Sequence, residues 1–380
     1  MEAAGPPRSS RELDMNPLVQ LQEEGQSVWL DYIRRSLIES GELKQMVEED
    51  GLRGLTSNPQ IFMKAIAGSD EYDRQIEELV SSNPRIQTSE LYEALAVTDI
   101  RAAADVLRPV FDQTEGADGF VSLEVSPDLA YDTSGTIDEA RRLWAAVDRP
   151  NLMIKVPATK EGIPAIESLL AEGININITL MFSIRHYEAV AQAYLRALET
   201  VEKPRHISSV ASFFVSRITK AVDQALDELG TEEAEALKGK IAIAVAKATY
   251  QRFRDIFHGE PFHVWREAGG RVQRVLFGST STKNPDYSDV LYVEELIGPE
   301  TVNTMPPATL HAFRDHGEVR GATLLEDVDE ARSQLDKLAE LGIDLDQITE
   351  QLQRDGVKKF KDPFDELFEA LEEKRSGAQA

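Results

Sequence analysis

Short apolar runs of strand length alternate along the chain with longer stretches in which apolar residues recur every three or four positions. The runs fall at 28–33, 51–56, 119–125, 151–156, 174–179, 206–212, 272–278 and 301–305. Helical periodicity fills the intervals at 70–80, 90–111, 136–147, 162–171, 183–201 and 214–258. A strand followed by a covering helix, repeated, makes a parallel sheet, and eight such units predict closure into a single (β/α)8 TIM barrel. The long second and sixth connections read as added helices. Further helical periods at 307–315, 324–341, 345–356 and 362–374 are expected to pack over the barrel. The domain reading is therefore one barrel over residues 16–375 with C-terminal covering helices. Residues 1–15, with Gly5-Pro-Pro7 and no apolar run, are expected to form a disordered tail, and Ser376 to Ala380 are expected to fray.

Polar residues interrupt several strands at every second position. Asn175, Asn177 and Thr179 alternate with Ile176 and Ile178, and Ser122 and Glu124 alternate with Val121, Leu123 and Val125. Ser208 and Ser212 share a face of the sixth run, and Asp31 shares one with Trp29. On a half-buried sheet such a face simply meets water. Barrel strands are covered on both sides, so inward polar groups at their C-terminal ends are costly unless they build a site, and barrel enzymes place their sites there. Lys155 stands near the end of an apolar run closed by Pro157. It either snorkels out at the strand end or loses its proton readily through desolvation. A neutral amine attacks carbonyl carbon and forms an imine. With Asp31 and Glu124 at the same barrel end, the set is an amine and two carboxylates. Aldol cleavage through an imine needs such a set, with one carboxylate taking a hydroxyl proton and the other moving protons as the carbinolamine dehydrates. The same trio also fits a plain ion-pair network.

Composition narrows the chemistry. The 380 residues suffice for one barrel with additions, and 42% hydrophobic with 28% charged residues is ordinary for a soluble globular chain. No apolar run approaches the ~18 residues of a membrane span. The absence of cysteine excludes disulfides, thiolate catalysis and cysteine-held metals. The six histidines show neither His-x-His nor His-Glu-x-x-His spacing, and neither Ala268-Gly-Gly270 nor Gly51-Leu-Arg-Gly54 is a dinucleotide fingerprint. A formal charge of −26 argues against nucleic acid or an anionic membrane as partner. An anionic substrate would have to be met by local arginines and lysines, because the global field is screened beyond roughly 8 Å. The cytoplasm is the expected compartment, and nothing in the chain specifies an oligomeric partner.

Four segments, in chain order, resemble the transaldolases: Leu55-Thr-Ser-Asn-Pro59, Ile154-Lys-Val-Pro-Ala158, Gly173-Ile-Asn-Ile-Asn-Ile-Thr-Leu180 with Met181-Phe-Ser183, and Ser212-Phe-Phe-Val-Ser-Arg217. The resemblance runs from about Leu18 to Phe313. Gly278-Ser-Thr-Ser-Thr-Lys-Asn-Pro285, followed by Tyr287, and the long inserts are similar to the larger bacterial branch. What the resemblance implies is a pentose phosphate pathway transferase that needs neither metal nor organic cofactor, with its Schiff-base lysine on the fourth strand. It would move a dihydroxyacetone unit from sedoheptulose 7-phosphate or fructose 6-phosphate to an aldose phosphate, so small sugar phosphates are the implied partners. By the same resemblance, Lys155 carries the imine and Asp31 deprotonates the substrate C4 hydroxyl. Glu124 and Thr179 handle the water of imine formation and hydrolysis, and Asn58 and Asn177 hydrogen-bond the dihydroxyacetone portion. Ser212 and Arg217 bind phosphate, with Phe214 near the pocket. The shorter enzymes have a second phosphate-binding arginine after the seventh strand. Here that loop offers Ser281 and Lys283 instead, the lysine as a point charge or as an ordinary exposed residue. The alternatives are a class I aldolase that releases free dihydroxyacetone, and a barrel that binds sugar phosphates without turnover.

Overall fold

A computed structural model describes residues 16–201 and 203–378, so the expected tail at 1–15 lies outside the described residues. Eight strands, β1 (Gln26–Asp31), β2 (Gly54–Thr56), β3 (Phe120–Glu124), β4 (Leu152–Pro157), β5 (Ile176–Met181), β6 (Ser209–Phe214), β7 (Arg274–Gly278) and β8 (Thr301–Met305), form a closed barrel in sequence order. All neighbours are parallel, including β8 with β1. Each expected strand is present, the eighth with its expected bounds and the others shifted or trimmed at their ends.

The alternation of side chains divides the barrel interior into levels. Trp29, Phe120, Met153, Val210, Leu276 and Val302 form an apolar plug of their own, separate from the main core outside the strands. Trp29 leaves no room opposite: a Cβ on its register partner Gly54 would lie 2.4 Å from the indole. Below the plug, Asp118 accepts hydrogen bonds from Trp29 Nε1 at 2.8 Å and from the Ser27 hydroxyl, and pairs with Arg274. The N-terminal end is thereby sealed. Asn175 also belongs to that lower level, where its amide bridges Pro150 and Leu152 carbonyls at 3.1 Å. Above the plug the register sets Asp31 beside Thr56 beside Ser122, and Glu124 beside Lys155 beside Asn177.

Two helical expectations need correction. The stretch at 214–258 is three helices, Ser216–Leu229, Glu232–Glu235 and Ile241–Phe257. Gly230 and Gly239, at φ of 63° and 73°, break it, and the Thr231 hydroxyl caps the second helix through Ala234 N at 3.2 Å. Conversely, the segments at 345–356 and 362–374 are one helix of 34 residues, Leu345–Ala378, that runs through Pro363. Gly356 and Pro363 read locally as stops. The helix continues because Phe360, Phe364, Leu367 and Leu371 bury one face, which outweighs the roughly 3 kcal/mol an interior proline costs. The helix includes Ser376, Gly377 and Ala378, which are therefore not frayed, and the same expectation for Gln379 and Ala380 lies outside the described residues. The short helices Pro17–Glu23, Arg35–Glu39, Glu42–Glu49 and Pro59–Ile66 escaped the periodicity because each spans about two turns or fewer.

The C-terminal helix lies across the barrel mouth, packing on helices Pro59–Ile66, Asp73–Ser82, Thr88–Gln113 and Ser216–Leu229 and on β5. No helix among the described residues is long and apolar enough to cross a membrane.

Candidate active site

Strand β4 is buried along its length and delivers Lys155 to the mouth. The ammonium donates to the Ser57 carbonyl at 2.9 Å and pairs with Glu124 Oε2 at 3.1 Å, outside good hydrogen-bond alignment. Both side chains are nearly covered, at 5% and 7% exposure. Burial raises the Glu124 pKa above the ordinary carboxyl value, against the pull of Lys155. Burial likewise raises that of Asp31, opposed by the Lys155 charge and by the Thr56 hydroxyl, which donates to Asp31 Oδ1 at 2.7 Å. Thr56 Oγ1 in turn lies 2.8 Å from the Thr304 hydroxyl, so two hydroxyls hold this carboxylate from behind.

On the opposite wall, Ser212 donates to Asn177 Oδ1 at 2.7 Å and Asn177 Nδ2 donates to Ser122 Oγ at 3.0 Å, which orients the asparagine amide. Thr179 follows on the same strand, and its buried hydroxyl has no hydrogen-bond partner among the described residues. Asn58 spends its side-chain oxygen on Ile61 N at 3.0 Å as the N-cap of Pro59–Ile66. Arg217, in the first turn of Ser216–Leu229, stands between the rings of Phe214 at 5.1 Å and Phe360 at 5.7 Å. Its Nη1 is buried without a hydrogen bond, and burial lowers its pKa despite Asp31 and Glu124. A guanidinium so placed keeps its fork available to an anion.

Lys155, Asp31, Glu124 and Arg217 are thus within mutual electrostatic reach, and Asn177 and Ser212 are bonded to each other on the same wall. Ser281 is half-buried and Lys283 exposed, and neither makes a hydrogen bond or ion pair among the described residues. Sequence reasoning passed over Thr56, Ser57, Thr304 and Phe360. Thr304 was accessible because it shares a strand face with Val302. Ser57 acts through its carbonyl, which no residue type announces. Phe360 lies on a helix far along the chain, and its apolar period says only that it is buried.

A family model described as Transaldolase/Fructose-6-phosphate aldolase matches residues 28–371. The chain belongs to this family. It is 48% identical over 357 residues to a transaldolase of Thiobacillus denitrificans, covering 93% of this chain and 99% of that protein. It is 46% identical to transaldolases of Trichodesmium erythraeum and Thermobifida fusca, in each case covering 94% of this chain and 97% of the relative. The family match extends past Phe313, where the visible resemblance stopped, and takes in most of the C-terminal helix. Membership makes the barrel an enzyme of the transferase class, not a non-catalytic sugar-phosphate binder.

Proposed function

We propose that this protein transfers a dihydroxyacetone unit between sugar phosphates through an imine on Lys155. The observation that carries the reading is the placement of the Lys155 amine 3.1 Å from a carboxylate whose pKa is raised by burial. Glu124 can accept a proton from the ammonium, and the freed amine attacks the ketone of sedoheptulose 7-phosphate or fructose 6-phosphate. Glu124 then returns a proton as the carbinolamine loses water, with the Thr179 hydroxyl holding that water. Asp31, also weakened as an acid, takes the proton from the C4 hydroxyl. The C3–C4 bond breaks and its electrons pass into the imine. Asn58 and Asn177 hold the dihydroxyacetone hydroxyls, and Arg217 with Ser212 receives the phosphate beside Phe214. Ser281 and Lys283 have a lesser part at the loop. An aldose phosphate then accepts the unit, and the steps run in reverse. The working compartment is the cytoplasm, where charged sugar phosphates are retained.

Borohydride reduction in the presence of fructose 6-phosphate is expected to fix the three-carbon unit on Lys155, located by peptide mass mapping. Lys155→Ala should abolish both adduct and transfer while leaving the melting transition cooperative. An adduct at another lysine would overturn the assignment. The family description also names an aldolase, and free dihydroxyacetone formed without an acceptor at a rate matching transfer would favour that second reading.

A further inference from the structure

The C-terminal helix approaches the site more closely than packing alone requires. A Cβ on Gly356 would lie 2.8 Å from Leu180 Cδ2 and 3.5 Å from Arg217 Nη1, so glycine, otherwise costly in a helix, lets the helix sit down on the mouth. Leu180 meets it with φ of 60°, at the register shift near the end of β5. The Leu180 carbonyl accepts Gln353 Nε2 at 3.1 Å, and the same amide reaches the Ala158 carbonyl at 2.9 Å. Farther out, Glu350 meets His186 Nε2 at 3.0 Å, Asp346 meets Arg185 at 2.9 Å, and Lys361 pairs with Asp128. These contacts fix one ring in place: Phe360 faces Lys155 Nζ at 5.8 Å and Arg217 at 5.7 Å. Beside it a small, partly open space of about 10 Å³, enough to admit a water, is lined by Glu124, Ser126, Pro127, Leu180, Val357 and Phe360 among others.

We propose that Phe360 is a positioning residue that keeps the three-carbon unit on Lys155 until the acceptor arrives. The inference rests on the transfer reading above. After C3–C4 cleavage the unit is an enamine, whose nucleophilic carbon must stay unprotonated to attack an aldehyde. Premature release needs two events. A proton must reach that carbon, restoring the imine, and water must then add across C=N so that the C–N bond breaks and the amine and free ketone separate. An aromatic ring over the amine supplies no proton and displaces the bulk water that would, while the small space beside Glu124 suffices for the hydrolysis that ends a normal turnover. The same ring is one of the two faces that hold Arg217.

The test is the partition between dihydroxyacetone released and dihydroxyacetone transferred, measured with fructose 6-phosphate and erythrose 4-phosphate. Phe360→Ala is expected to raise the released fraction about tenfold, with the borohydride adduct still on Lys155. Phe360→Leu, which keeps apolar cover, should stay near the unaltered protein. Phe360→Val carries the same expectation as alanine with smaller amplitude and decides the matter if the alanine variant does not fold. Loss of transfer in these smaller variants with an unchanged partition would reduce Phe360 to a structural role and overturn the inference. A Lys155 adduct or transfer missing from the unaltered protein would instead overturn the transfer reading itself.

Discussion

Asp31 holds its proton more tightly in the folded chain than in an unfolded one, because burial outweighs Lys155, Thr56 and Arg217. A carboxyl with a raised folded pKa contributes stability that is fully present below its unfolded value and is lost as the pH climbs through the folded value. Above that window the ionised group burdens the fold. Asp31→Asn is therefore expected to melt at a higher temperature than the unaltered protein near pH 7. The difference should shrink toward about pH 4, the ordinary aspartate range, and transfer should be lost throughout. Melting curves across that interval check the sign; a variant less stable at neutral pH would contradict it. Arg217 makes a second residue-scale case. Its Nη1 is unbonded beside two rings, and it is the cation proposed above to meet phosphate. Charge-assisted hydrogen bonds contribute roughly 1.5–3 kcal/mol each, so Arg217→Ala should raise KM about tenfold or more for phosphorylated donors relative to unphosphorylated ones. Lys283 is exposed, with no ion pair among the described residues, and its alanine variant should change KM far less. Equal effects on both donor types would remove the phosphate role from Arg217.

At the scale of elements, the barrel works because its interior is divided into an apolar plug and a polar rim. Trp29 and Gly54 fix that boundary, since the indole occupies the volume a side chain on β2 would take. Gly54→Ala is expected to cost about 1–3 kcal/mol by overpacking, read as a lower urea midpoint at unchanged slope. A neutral substitution would mean that the plug can yield, and that the rim above it is held by something else. The strands were legible because period two survives even where polar groups interrupt it. The helices were less so. Gly230 ends a helix and Gly239 lies in the turn before the next, where positive φ is required, whereas Gly356 and Pro363 sit inside a helix, and no local rule separates the two cases. What separates them is what packs alongside: Gly356 lies against Leu180, and Phe360 and Phe364 hold the helix down on either side of Lys361.

Over the whole molecule, the chain alone determined the class of architecture and the chemical types at the rim. Eight strand periods separated by helices leave few closed arrangements, and alternation places Asp31, Glu124, Lys155, Asn177 and Ser212 at one barrel end whatever the details of packing. The motifs Leu55 to Pro59 and Ile154 to Ala158 carried the family resemblance because the strand ends proposed to hold the reacting groups are spelled out by short contiguous segments. Tertiary structure alone decided what closes that end. A helix beginning at Leu345 returns across the mouth to set Phe360 over Lys155, and the Ser57 carbonyl, from the loop after β2, and the Thr304 hydroxyl, from β8, arrive from far apart in the chain. Such contacts depend on how the barrel closes and on which helix face meets it. Sequence periodicity reports that a residue is buried, but which neighbour buries it is settled only by the relative placement of elements distant along the chain.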